Sequence, residues 1–274
     1  MIDVNRRVLP GFRLSLGYTL FYLTLLVLIP LGACFVKAGS LSLGELGAAV
    51  WTPRTRAAYG LTFGASFAAA AISVVLGLLV AWVLVRYEFP GKRVFDALVD
   101  LPFALPTAVA GLVYSSLYVK TGWLGQFLVP LGIQGAYSRP AIVLVLTFIG
   151  VPFVVRTVQP VLGNVESEVE EAAACLGANR AQTVWRIILP SLFPAIVTGF
   201  ALAFARGLGE YGSVVFVSGN MPFRTEIAPV LIVAALEEFH YREAAAIAVV
   251  LLMASLSMLI LINFLERWSK QDGN

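Results

Sequence analysis

Long apolar runs alternate with short polar breaks along this chain. Six runs, at 14–36, 60–85, 101–119, 141–162, 193–217 and 244–265, carry little or no charge. Each is close to the roughly 20 residues a helix needs to cross the hydrocarbon core of a bilayer. The pattern predicts an all-α integral membrane protein of six transmembrane helices, organised as one domain, 1–274. The first run follows a short basic segment, as the core of a signal peptide does. It is longer than such cores and no clear small-residue cleavage site ends it, so a retained first helix is expected.

The third run is irregular, reading Leu101-Pro102-Phe103-Ala104-Leu105-Pro106. Each proline removes a backbone donor and disturbs the helix around it. Irregular backbone at membrane depth survives only where it is buried in protein or faces a watery cavity. Pro102 and Pro106 are therefore candidates for a packing kink or for the lining of a pathway. Small residues at Ala68–Ala71, Gly77, Gly111 and Gly199 suit close helix contacts in a bundle.

Charge supplies the orientation. With the N-terminus inside, eleven Lys and Arg residues fall on the inner side (Arg6, Arg7, Arg13, Arg86, Lys92, Arg93, Arg156, Arg180, Arg186, Arg267, Lys270) and seven outside (Lys37, Arg54, Arg56, Lys120, Arg139, Arg224, Arg242). An excess of basic residues marks the cytoplasmic side, so both termini are expected there. The stretch 218–243 then faces outside, as does 39–59, and the two form a candidate surface for a soluble partner.

Composition narrows the class. The chain is 59% hydrophobic and 13% charged, against about 25% charged in soluble domains, too apolar for a soluble core. The net charge of +3 is scattered, with no basic tract for nucleic acid. Cys34 and Cys175 are expected as small buried side chains, not a disulfide. A single histidine, His240, leaves no metal cluster and no convergent catalytic set. There is no Gly-rich lysine loop for a nucleotide phosphate. A non-catalytic chain without metal or cofactor of its own is expected.

Two charges fall within the fifth run. Arg206 and Glu210 are four apart and would share a helix face. A charge at a helix centre in the membrane costs roughly 2.5–3.5 kcal/mol on insertion scales, so both should face protein or water, as an ion pair that fixes packing or as the lining or gate of a pathway. Asp96 and Asp100 read as a polar helix end beside Lys92 and Arg93.

The stretch 163–192 carries four glutamates, Glu166, Glu168, Glu170 and Glu171. It predicts two short helices. Ser167 with Glu170 has capping-box spacing, Gly177 can close the first helix in a left-handed conformation, Asn179 with Gln182 opens a second, and Pro190 and Pro194 mark the start of the fifth span. Glu171-Ala172-Ala173, three residues, Gly177, nine residues, Ile187, one residue and Leu189-Pro190 together resemble the EAA loop of ABC importer permeases. The resemblance implies the type I importer permease (MetI-like) fold and a cytoplasmic loop whose short helix docks on an ATPase subunit. Glu170, Glu171, Ala172, Ala173, Leu176, Gly177 and Ala178 would then be the ATPase-coupling residues.

A second set of segments is similar to the sulfate/thiosulfate permease subunits called CysT: Val8-Leu9-Pro10-Gly11-Phe12, Asp100 to Leu112, Pro152 to Pro160, and Leu208-Gly209-Glu210-Tyr211-Gly212. That likeness implies a subunit of an ATP-driven sulfate or thiosulfate importer in a bacterial inner membrane. Its expected partners are a second permease subunit of the CysW type, a dimer of CysA-type ATPases carrying ATP and Mg, and a periplasmic or surface sulfate-binding protein. A permease for molybdate or another tetrahedral oxyanion stays open, as does an ion-coupled secondary transporter, which would leave the loop at 163–192 without a role.

Overall fold

The computed structural model describes residues 11–271; Arg6 and Arg7 of the charge pattern lie outside them. The described residues form helices joined by turns. Besides the single turns Gly125–Leu128 and Val214–Val217, these are in order α1 Phe12–Gly39, α2 Leu43–Val50, α3 Pro53–Arg86, α4 Lys92–Val99, α5 Leu101–Ala104, α6 Thr107–Tyr118, α7 Arg139–Gly163, α8 Ser167–Cys175, α9 Arg180–Leu208, α10 Ala228–Glu237 and α11 Tyr241–Gln271. Among the described residues, α1, α3, α7, α9 and the apolar part of α11 are long and apolar enough to cross a membrane.

Local chemistry sets the starts of these helices. Thr52 Oγ1 accepts from the Thr55 N–H at 3.0 Å, and Pro53 follows as the first residue of α3, where its missing donor costs nothing. Ser138 caps α7 in the same way, with Pro140 in the first turn. Ser42 and Glu45 form a reciprocal capping box for α2.

The third predicted span is not one helix. Leu105 leaves α5 in an extended conformation (φ −77°, ψ 131°) and Pro106 becomes the N-cap of α6. Pro102 does not break anything, because it sits in the first turn of α5, where an N–H would be unpaired anyway. The twelve residues of α6 reach only about 18 Å, short of a full crossing.

The fifth span also differs from its expected bounds. The predicted second loop helix is the start of α9, and α9 ends at Leu208, nine residues before the expected end. Continuity past Pro190 comes from a π turn at Val184–Ile188, which delivers the Leu189 N–H to the Val184 carbonyl just before the proline. α1 has the same arrangement: a π turn at Thr24–Leu28, then Ile29-Pro30. A widened turn absorbs the disruption that proline would bring to a regular helix.

The core is the three-helix contact of α3, α7 and α9, filled by Leu84, Val154, Val155, Val158, Leu162, Ile188, Leu192 and Phe204. The small residues mark the closest approaches, as expected. A Cβ on Gly77 would lie 2.7 Å from Val154 Cβ, on Gly111 2.3 Å from Ser213 O, and on Gly199 2.5 Å from Thr157 Oγ1. The second half of α1 packs along α11, with Cys34 Sγ set toward the Ala245 carbonyl; none of the most apolar stretch of α1 is buried in the chain. The expected outer loop at 218–243 holds the apolar helix α10, whose first turn is buried against Ala58 and Tyr59.

Candidate functional site

The charges gather at two ends of the bundle. At one end Arg54 makes a two-pronged pair with Glu226 (Nε–Oε2 2.8 Å, Nη2–Oε1 2.6 Å), and Arg139 donates to the Arg224 and Phe223 carbonyls. Each of these contacts joins residues that the charge pattern places outside. At the other end Arg86 pairs with Glu170 and Arg156 with Asp96 and Asp100.

The loop at that second end carries the coupling candidates. Glu166, not Ser167, occupies the N-cap of α8; the Ser167 side chain lies outside the described residues. Gly177 has φ +84°. Its N–H meets the Ala174 carbonyl at 2.9 Å and the Ala178 N–H meets that of Ala173 at 3.0 Å, the paired bonds of a Schellman stop. Asn179 and Gln182 then form the predicted reciprocal capping box, both bonds at 2.9 Å.

This geometry sorts the seven coupling candidates. Ala173 is buried against its own chain, whereas Glu171, Ala172, Leu176 and Gly177 are exposed and Ala178 half-buried. Leu176, at the tip of the turn, is 90% exposed, and burial of so apolar a side chain would favour a partner surface. Cys175 beside it is exposed, so it is not the buried side chain the composition suggested. Glu170 faces inward to Arg86 Nη2 at 2.5 Å, and the Arg86 guanidinium stands 5.8 Å over the Trp82 ring. Glu170, Glu171, Ala174, Ala178 and Arg180 line a cleft of about 300 Å³ under the turn. The sequence reading missed Trp82 and used Arg86 only as a topological charge. It also missed Trp185, 70% exposed on the adjoining π turn; its signal was a large aromatic in a polar loop.

Asp96 and Asp100 are not simply a helix end beside Lys92 and Arg93. Arg156 reaches from α7 to Asp96 Oδ1 at 2.7 Å and to both oxygens of Asp100 at 2.8 and 2.7 Å. It also donates to the Asp96 carbonyl at 2.8 Å and to Gln159 Oε1 at 2.7 Å. Its hydrogen bond holds the Asp96 carboxyl below the usual carboxylate range. The clamp fastens α4 and α5 to α7 just ahead of the Leu105–Pro106 break.

The two interrupted segments meet. Past Leu208 the chain turns, and Glu210 Oε1 accepts from the Ser213 N–H at 2.8 Å and from Ser213 Oγ at 2.9 Å. The Ser213 backbone lies directly on Gly111 of α6, and Gly212 on Thr107. Arg206 Nη1 pairs with Glu210 Oε2 at 2.5 Å. The two predicted charges are thus together, but Glu210 stands beyond the helix end and is buried, while Arg206 is one-third exposed. Pro106 caps α6 at this junction. Pro102 lies elsewhere, in an apolar groove with Tyr114, Val143 and Phe148.

Comparison with known proteins matches this architecture. A family model described as binding-protein-dependent transport system inner membrane component matches residues 73–272. The chain is 51% identical over 257 residues to the sulfate transport system permease protein CysT of Synechococcus elongatus, covering 94% of this chain and 92% of that one. It is 48% identical over 262 residues to CysT of Salmonella typhimurium, covering 96% and 95%. Among solved structures, a bacterial ABC transporter involved in the import of the acidic polysaccharide alginate aligns over 93% of this chain and 94% of its own, with TM-score 0.77 at 16% identity. The MetNI methionine ABC transporter aligns over 84% and 99%, with TM-score 0.55 at 18% identity. The chain therefore belongs to the binding-protein-dependent transport system inner membrane components, the permease subunits of ABC importers.

Proposed function

We propose that this chain is one half of the membrane channel of an ATP-driven importer for sulfate or thiosulfate. The observation that carries the reading is the loop at 163–192: a helix stopped at Gly177, anchored through Glu170 and presenting Glu171, Ala172 and Leu176 outward. Such a surface suits a groove on a separate ATPase. The likeness to the two permeases named for sulfate transport supports the cargo.

In this reading the chain lies in a bacterial inner membrane with both termini in the cytoplasm. The end bearing α8 faces the ATPase, and the end bearing Glu226 and Arg139 faces a sulfate-binding protein. A second permease of the CysW type completes the channel. Two ATPases of the CysA type bind ATP and Mg and carry out hydrolysis, with no reaction on this chain. Glu170, Glu171, Ala172, Ala173, Leu176, Gly177 and Ala178 transmit the ATPase movement. Arg206, Glu210, Pro102 and Pro106 belong to the pathway or its supports.

The test is reconstitution of the four-part complex in proteoliposomes with its binding protein. Uptake of labelled sulfate and stimulation of ATP hydrolysis by sulfate or thiosulfate are expected. Stimulation by molybdate alone would change the cargo. Uptake driven by an ion gradient without ATP would overturn the importer reading.

A further inference from the structure

The open side of Arg206 is the feature that packing does not explain. Leu202 and Arg206, four apart on α9, and Gly209 just past its end are exposed or half-exposed. The last turn of α9 is therefore left partly open by this chain on this side, and Arg206 is the charge there. Its side chain is 34% exposed and that of Glu210 2%. A guanidinium turned toward hydrocarbon would cost several kcal/mol, so the open side of Arg206 faces water or protein.

Glu210 cannot share that position. One carboxylate oxygen takes both donors of Ser213 and the other takes Arg206 Nη1, and the side chain is closed over. A guanidinium carries five N–H donors, and Glu210 is the acidic partner of Arg206 among the described residues. Donors therefore remain on the uncovered side.

We propose that Arg206 is the group through which this chain contacts the anion in transit, and that Glu210 is a positioning residue that holds Arg206 from behind without touching the cargo. This rests on the oxyanion-importer reading. The planar fork of arginine matches two oxygens of a tetrahedral oxyanion, which the point charge of lysine does not. The buried Glu210 carboxylate offsets part of the positive charge. The anion is accepted but not held, as passage through a channel requires. Ser213 completes the arrangement by fixing Glu210 at the end of α9.

The experiment uses the whole reconstituted complex and reads sulfate taken up per ATP hydrolysed, together with the thermal midpoint. Arg206→Gln should lower uptake per ATP by about tenfold or more, the loss expected for one charge-assisted contact. Arg206→Lys should recover part of it. Glu210→Gln should also lower uptake per ATP and should in addition lower the midpoint, because Ser213 and Arg206 both lose their charged partner. Wild-type uptake per ATP in Arg206→Gln would overturn the assignment. So would a fall in midpoint and uptake together in Arg206→Gln that lysine does not relieve, which marks a packing role. Absence of oxyanion uptake by the wild-type complex would overturn the importer reading itself, and this assignment with it.

Discussion

Arg86 at the end of α3 and Glu170 in α8 are joined at 2.5 Å across one end of the bundle. The pair ties α8 to the longest helix of the core, with the Arg86 guanidinium over the Trp82 ring. The two side chains are only 22% and 35% exposed and the meeting atoms are themselves buried, so removing one partner costs more than the roughly 0.2–1 kcal/mol of a solvent-exposed pair. The pair fixes the position of α8 against α3. Glu170→Lys, which sets a second cation against Arg86, is expected to lower the thermal midpoint and to reduce sulfate-stimulated ATP hydrolysis severalfold. The exchange Arg86→Glu with Glu170→Lys should restore part of it. A double variant no better than Glu170→Lys alone would show that Glu170 acts on the partner, not through Arg86.

Gly177 gives a sharper case. It has φ +84°, and no atom stands within 4 Å of a Cβ built there. Any substitution penalty is therefore conformational, not steric. A β-branched residue in this left-handed region pays at least the roughly 1–2 kcal/mol typical of L-residues, whereas asparagine tolerates it. Coupling should fall in the order Gly, Asn, Ala, Val when transport and ATP hydrolysis are measured side by side. Equal loss in all three variants would mean that bulk at the partner surface matters and backbone shape does not.

How much of this was legible beforehand follows from what each signal measures. Hydropathy reports sustained apolar runs, so α1, α3, α7, α9 and α11 stood out. It is blind to backbone breaks, so the interruption at Leu105–Pro106 and the end of α9 at Leu208 were hidden inside runs that are apolar on average, Arg206 and Glu210 notwithstanding. Proline gave a warning without a place. Pro102 is harmless in a first turn, Pro190 is carried through by a π turn, and Pro106 breaks the chain. Capping chemistry is local, so Gly177 and the Asn179–Gln182 box were readable. The Arg156 clamp joins residues 56 and 60 positions apart, a distance no local pattern reports.

That clamp should have a pH signature. Asp96 lies in α4, outside the long helices, and its carboxyl is held below the usual range, first by the hydrogen bond from Arg156 and further by Gln159. A group whose pKa is lower in the folded state adds stability that is present above its unfolded pKa, about 3.9 for aspartate, and is lost as pH falls through the folded value. Between pH 5 and 8 the contribution should be flat. It should disappear only in strong acid, and solvent exposure of the pair keeps it to about 1 kcal/mol or less. Asp96→Asn should lower the midpoint slightly at neutral pH and flatten the acid limb of the curve. An unchanged acid limb would assign that limb to other carboxylates.

The contact of α6 with the turn that follows α9 leaves no room for a side chain at Gly111. A Cβ on Gly111 would stand 2.3 Å from the Ser213 carbonyl oxygen and 2.8 Å from its Cα. Both are backbone atoms, so no rotamer change relieves the clash, and overpacking of this kind costs about 1–3 kcal/mol. The damage would not stop there. Ser213 gives Glu210 its N–H and hydroxyl, and Glu210 holds Arg206; displacing Ser213 loosens the support of the one-third-exposed arginine. Gly111→Ala is therefore expected to lower both the midpoint and sulfate uptake per ATP, and Gly111→Val more so. Gly209, next to Glu210 in the same turn, has open space where a Cβ would go. Gly209→Ala should leave the midpoint near wild type. If both alanine variants behave alike, Gly111 is not a close contact in the membrane, and the two breaks do not move as one body.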